Sequence, residues 1–207
     1  MLSTLKIIKK NIIILSPHPD DLELSTSLLC TKLKRKFNII EIILTDGSMG
    51  GINRNILGSR KHIETRKNEA KKSGKILGIN KIFFLGYPDS KLEKMIPTAK
   101  KEVYQIIKKY NPIILCFPSS NEKHKDHIAT HFIGEYILKK ENNILDLQYC
   151  FWGKNNVNNV KIKLKRSSYI KGMAIKQHQS QTIEKYTKNH KDILKKEVFY
   201  SERGFNL

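Results

Sequence analysis

Four short apolar runs, each followed by a stretch long enough for a helix, constrain this chain more than any other feature. Residues 12–15 form a continuous run ending at Ser16-Pro17, and residues 39–44 a β-branched run stopped by Asp46-Gly47. Residues 81–85 end at Gly86-Tyr87-Pro88-Asp89, and residues 113–117 end at Pro118. Apolar runs without polar alternation read as strands covered on both faces. Between them, Leu22, Leu28, Leu29, Leu33 and Phe37 recur at near-helical spacing over 22–37. A helix is predicted over about 64–77 with Gly78 as its C-cap. Another is opened by Pro97 in its first turn and runs to Tyr110, where Asn111-Pro112 stops it, and a fourth covers about 126–140. Residues 47–60, with four glycines and two asparagines, read as a long loop.

Strands alternating with helices of this length give an α/β fold, a Rossmann-like parallel sheet with helices on both faces. The last third is less regular: 148–152 and 160–164 read as strands, 168–177 and 184–195 as helices. Neither an internal repeat nor a linker interrupts residues 1–207, which read as a single domain with a C-terminal extension. A chain of 207 residues buries enough surface to need no disulfide staples. Its three cysteines, Cys30, Cys116 and Cys150, have no paired spacing and fit a reducing, cytoplasmic setting. The apolar run at 12–15 is too short for a membrane span or a signal segment.

The net charge of +20 is the one extreme value. It could mark a nucleic-acid partner or an anionic substrate. The lysines are spread along the chain, however, and accompany an excess of Ile and Asn, the mark of AT-biased coding. With no nucleic-acid-binding motif, a specific nucleic-acid partner is not expected. A mild attraction for phosphorylated or nucleotide-linked substrates is a secondary effect of the charge.

Two polar clusters follow strands: Pro17-His18-Pro19-Asp20-Asp21 after the first, and His124-Lys125-Asp126-His127 after the fourth. Ligands of open parallel sheets bind beyond the carboxyl ends of the strands, where the winding reverses. If the strand order is 3-2-1-4-5, the two clusters face each other across that crevice. Neutral imidazole and carboxylate suit zinc, and a catalytic zinc keeps three protein ligands; the same donors also suit iron(II). His18 and Asp21 could bind from the first loop, with a histidine of the second completing the site. Asp20 and His124 then remain for proton transfer and oxyanion stabilisation.

The segment Ser16-Pro17-His18-Pro19-Asp20-Asp21-Leu22-Glu23-Leu24 resembles the signature loop of the PIG-L/LmbE-like zinc N-deacetylases, and His124-Lys125-Asp126-His127 is similar to their second motif. Further similarity runs through Thr45-Asp46-Gly47, Arg66 with Glu69, Leu85 to Asp89, and the stretch from Lys171 to Gln181 containing His178. The resemblance implies His18, Asp21 and His127 as zinc ligands, Asp20 as general base and His124 as the oxyanion-stabilising or proton-donating imidazole. It implies that Asp126 orients or tunes one of these histidines, and that Arg66 and Asp89 face the sugar. The substrate it implies is a small N-acetylated sugar, free or nucleotide- or lipid-linked, and a homo-oligomer is compatible with it. Ser25-Thr26-Ser27 departs from the family's glycine-rich helix start.

Simpler readings compete for single residues. Asp20, Asp21 and Asp126 could be N-caps, and Arg66 with Glu69 a helical i, i+3 pair. Asp89 could be a turn residue, His178 a structural one, and His62, His131 and His190 surface or core residues. The competing activities are hydrolysis of another amide or ester, and a basic nucleic-acid-binding module.

Overall fold

The computed structural model describes residues 9–153, 160–163, 167–181 and 196–203. Its central sheet has seven strands in the order β3-β2-β1-β4-β5-β7-β6. These are β1 (Asn11–Ser16), β2 (Asn38–Thr45), β3 (Lys81–Tyr87), β4 (Ile114–Pro118), β5 (Leu145–Tyr149), β6 (Val160–Lys163) and β7 (Lys196–Tyr200). β1 to β5 pair in parallel, and β7 runs antiparallel to both β5 and β6. The winding therefore reverses between β1 and β4, the neighbours that the strand order required.

The apolar runs work because both faces of β1 are covered. Ile12 and Ile14 pack with Leu28, Leu29, Leu33 and Leu77 on one side, and Ile13 and Leu15 with Val103, Ile107 and Ile133 on the other. Each such buried aliphatic side chain contributes about 1.5–3 kcal/mol of transfer free energy. The first layer is built by α1 (Asp21–Ser25), α2 (Ser27–Leu33), α3 (Arg60–Leu77) and α6 (Ser167–Ile175); the second by α4 (Leu92–Tyr110) and α5 (Lys125–Lys140).

Several boundaries differ from the sequence expectation, each for a local reason. The helix expected over 22–37 is two, broken at Thr26, whose φ of −134° leaves the helical region. Thr26 Oγ1 donates to Leu22 O (3.1 Å) and Ser27 Oγ to Glu23 O (2.9 Å), hydroxyls competing for helical carbonyls. Pro97 lies inside α4, which begins at Leu92, so the proline does not open that helix. His124, not Asp126, is the N-cap of α5, its Nδ1 accepting from the Asp126 N–H at 3.3 Å. The strand expected at 148–152 sits three residues earlier as β5, and β7 had no counterpart in the sequence reading. Gly78 does cap α3 in the left-handed region, at φ 79°. The helix expected over 184–195, and His190 within it, lie outside the described residues.

Candidate active site

The loops leaving β1, β2, β3 and β4 meet at one cavity of about 270 Å³, whose lining includes His18, Asp20, Asp21, Arg66, Asp89 and His124. The first loop is anchored by β2: the Thr45 N–H and Oγ1–H both donate to Pro17 O, at 3.0 and 2.8 Å. Asp21 then turns back on the same loop, its Oδ2 accepting the His18 N–H at 2.8 Å and lying 3.1 Å from His18 Nδ1. Its other oxygen is 3.3 Å from His127 Nε2, so one buried carboxylate joins the two distant loops. The ring nitrogens of His18, His124 and His127 include a set lying within 4.8 Å of one another. His18, Asp89 and Asp126 form a second such set.

Asp126 is fully buried and meets His18, with Oδ2 3.2 Å from Nε2, while the Ser90 and Leu92 N–H groups donate to its oxygens. Asp89 is part of the same cluster: Oδ1 lies 3.4 Å from His18 Nε2, and Oδ2 accepts the Met49 N–H at 2.9 Å. Arg66 does not pair with Glu69. It reaches across to Asp20, donating to Oδ1 at 2.8 Å, and to Gly47 O at 2.5 Å. Glu69 instead accepts the N–H and Oγ–H of Ser180, at 2.8 and 2.6 Å. Gly47 is required here: its φ is +65°, and a Cβ would stand 2.5 Å from an Arg66 nitrogen.

The field of these carboxylates governs the imidazoles. Burial alone would lower the His18 pKa, but hydrogen bonds to Asp126, Asp21 and Asp89 raise it well above the ordinary value. His127 is likewise pushed against its burial to about 9 by the charge of Asp21 and by contacts with Asp21 and Glu122. Asp21 and Asp89, although burial opposes it, are held well below the usual carboxylate range, chiefly by His127 and His18 respectively. His124 goes the other way, lowered by burial and by the neighbouring imidazoles.

This donor set fits a divalent cation. His127 is fully buried, yet neither ring nitrogen has a hydrogen bond of acceptable angle among the described residues, although Asp21 and Glu122 oxygens lie at 3.3 and 3.1 Å. Buried imidazole nitrogens in that condition are costly unless an ion or proton is shared there. Glu122 was missed by the sequence reading. It is buried, sits 3.1 Å from His127 Nδ1, and accepts the Phe151 and Trp152 N–H groups at 2.6 and 2.8 Å. A carboxylate behind a ligating imidazole is a common device, and an acid between β4 and the second motif was the one available signal. Of the histidines without an assigned role, His62 contacts Gly50 O at 2.6 Å and His131 Pro118 O at 3.1 Å. His178 lies 3.4 Å from Glu23, clear of the cavity lining.

A parallel sheet with histidines and carboxylates gathered at its winding reversal defines an α/β protein with a metal-competent site. Residues 13–138 match the family described as PIG-L: GlcNAc-PI de-N-acetylase, and the chain belongs to that family. Among curated proteins it is 32% identical over 129 residues to diacetylchitobiose deacetylase of Thermococcus kodakarensis, covering 60% of this chain and 48% of that one. It is 29% identical over 127 residues to a probable N-acetyl-alpha-D-glucosaminyl L-malate deacetylase 2 of Bacillus anthracis, covering 59% and 56%. The chain thus spans about half the length of the curated relatives it matches. Among solved structures, N,N'-diacetylchitobiose deacetylase of Pyrococcus horikoshii, complexed with its inhibitor MPG, superposes with a TM-score of 0.79 at 21% identity, covering 93% of this chain and 83% of that one.

Proposed function

We propose that the protein is a zinc-dependent N-deacetylase that hydrolyses the acetamide of a small N-acetylated sugar to acetate and a free amine. The observation that carries this reading is the meeting of His18, Asp21, His124 and His127 from two distant loops, beside an Asp20 held in place by Arg66. The names of the relatives supply the bond: both curated proteins are deacetylases of N-acetylated substrates. Residues 1–207 act as one catalytic unit in this reading, in a cytoplasmic setting. The latter is supported by three free cysteines and by the lack, among the described residues, of a helix long and apolar enough to cross a membrane.

His18, Asp21 and His127 would hold the ion, with His124 close enough to join or to face the substrate. Bound there, a divalent ion polarises a carbonyl and acidifies water. Asp20 takes the proton of the attacking water, and Arg66 keeps its carboxylate aimed into the cavity. His124 faces the acetyl oxygen and steadies its developing charge. The carbon–nitrogen bond breaks as the amine nitrogen receives a proton from Asp20 or His124. Asp126 orients His18, Glu122 orients His127, and Arg66 and Asp89 border the sugar.

The test is acetate release from a panel of N-acetyl sugars by the zinc-loaded chain, with metal content measured alongside. Release from at least one supports the proposal. A metal-replete protein that releases acetate from no acetamide while cleaving esters would replace it with the ester reading.

A further inference from the structure

The chain carries +20 overall, but little of that charge lines the cavity among the described residues. Arg66 is the only Lys or Arg among the described residues lining it. That guanidinium is 2% exposed, with both terminal nitrogens committed, to Asp20 and to Gly47 O. Three carboxylates, Asp20, Asp21 and Asp89, share the lining. One divalent ion and Arg66 together balance three negative charges, leaving no cation among the described lining residues for an anionic substituent.

The rest of the lining includes four apolar side chains, Leu24, Met49, Phe151 and Trp152. Met49 and Trp152 remain 55% and 40% exposed, open to a ligand. The wall is built rather than incidental. Phe151 and Trp152 stand edge to face with ring centroids 4.9 Å apart, and their backbone N–H groups are both tied down by Glu122. The same carboxylate lies 3.1 Å from His127, so the aromatic wall and the metal-competent histidine share one support.

We infer that this wall is the subsite for the part of the substrate beyond the acetamido sugar, and that it takes an uncharged ring with a flat apolar face, such as a second pyranose, not a phosphate or carboxylate. An aromatic face gains dispersion and electrostatic contact with polarised C–H groups stacked on it, whereas an anion here would meet carboxylates and, among the described lining residues, no uncommitted Lys or Arg. The inference deepens the deacetylase proposal and rests on it for the identity of the first sugar. It also turns aside the expectation of phosphorylated or nucleotide-linked substrates drawn from the overall charge.

Trp152 is the chain's single tryptophan, so its fluorescence reports on the subsite independently of turnover. The probes are the uncharged disaccharide of two N-acetylglucosamine units, N-acetylglucosamine itself, and N-acetylglucosamine 1-phosphate. The disaccharide is expected to shift the emission saturably, the other two far less. In acetate release it should exceed both in kcat/KM by about tenfold, the scale of one good aromatic contact. Trp152→Ala should remove most of that advantage, raising KM far more for the disaccharide than for the monosaccharide, and Trp152→Phe should keep most of it. A 1-phosphate that equals or outperforms the disaccharide would overturn the inference, as would a Trp152→Ala loss of equal size on all three. A saturable, disaccharide-selective fluorescence shift without acetate release would uphold the subsite and defeat the deacetylase reading.

Discussion

Lys171 and Glu197 form a buried ion pair at 2.8 Å, with side chains 1% and 2% exposed. The pair does more than neutralise itself. Lys171 Nζ also donates to Leu24 O at 2.8 Å, near the end of α1, and Glu197 accepts the Leu28 and Leu29 N–H groups at 2.8 and 2.9 Å, at the start of α2. It therefore spans the break at Thr26, stapling together the two short helices that follow Asp20. Removing one partner of a buried pair costs about 3–5 kcal/mol, because the other charge is stranded. In Lys171→Met the Glu197 carboxylate keeps its two backbone donors and Ser27 Oγ at 3.3 Å, so the lower end, about 3 kcal/mol, is expected. At about 2–4 °C per kcal/mol for a chain of this size, the melting midpoint should fall about 6–12 °C. Lys171→Met with Glu197→Gln should recover part of the loss, since no charge is left unpaired. Urea denaturation followed by circular dichroism measures these two variants and the Glu197→Gln single. A cost below about 1 kcal/mol for Lys171→Met, or a double variant as poor as the sum of the singles, would refute the reasoning.

Two further outcomes follow from buried carboxylates. Glu122→Gln should weaken zinc affinity by about 10–100-fold with little change in the fold, read by competition with a chromogenic chelator; unchanged affinity would show that Glu122 serves the aromatic wall alone. Glu41 is raised well above the ordinary glutamate pKa, first by burial and then by the charge of Glu23, against the Ser16 hydroxyl that donates to it at 2.7 Å. A raised folded-state pKa means stability present below the unfolded value of about 4.3 and lost as pH rises through the folded one. Glu41→Gln should therefore gain on the parent as pH rises from 5 to 9, and urea midpoints with a constant difference across that range would contradict it.

The parallel core was legible because β1, β2 and β4 are buried on both faces and so appear as runs rich in Ile, Leu and Phe, with Glu41 the one charge among them. The site was legible because both motifs sit directly after such runs, and the winding reversal brings β1 and β4 together. What escaped the sequence has a common cause: it depends on residues whose local pattern says nothing about their partner. Glu197 reads as a surface acid in a basic tail, yet it caps a helix 170 residues away in sequence order. Glu122 looks like one more loop acid until the fold places it behind His127. Arg66 and Glu69 have the spacing of a helical pair, but tertiary partners claim both. Asp126 could not be assigned to a particular imidazole, and the structure brings it to His18. Pro97 carries no sign of its own that the helix begins a turn and more before it.

The central claim is that two loops join around one ion while Asp20 stays free for proton transfer. Zinc content and acetate release measured together on the parent, Asp20→Asn and His127→Ala test it most directly. Asp20→Asn should keep one zinc per chain and lose nearly all turnover, and His127→Ala should lose both. Zinc-loaded Asp20→Asn turning over at the parent rate, or His127→Ala retaining the ion with undiminished affinity, would contradict the account.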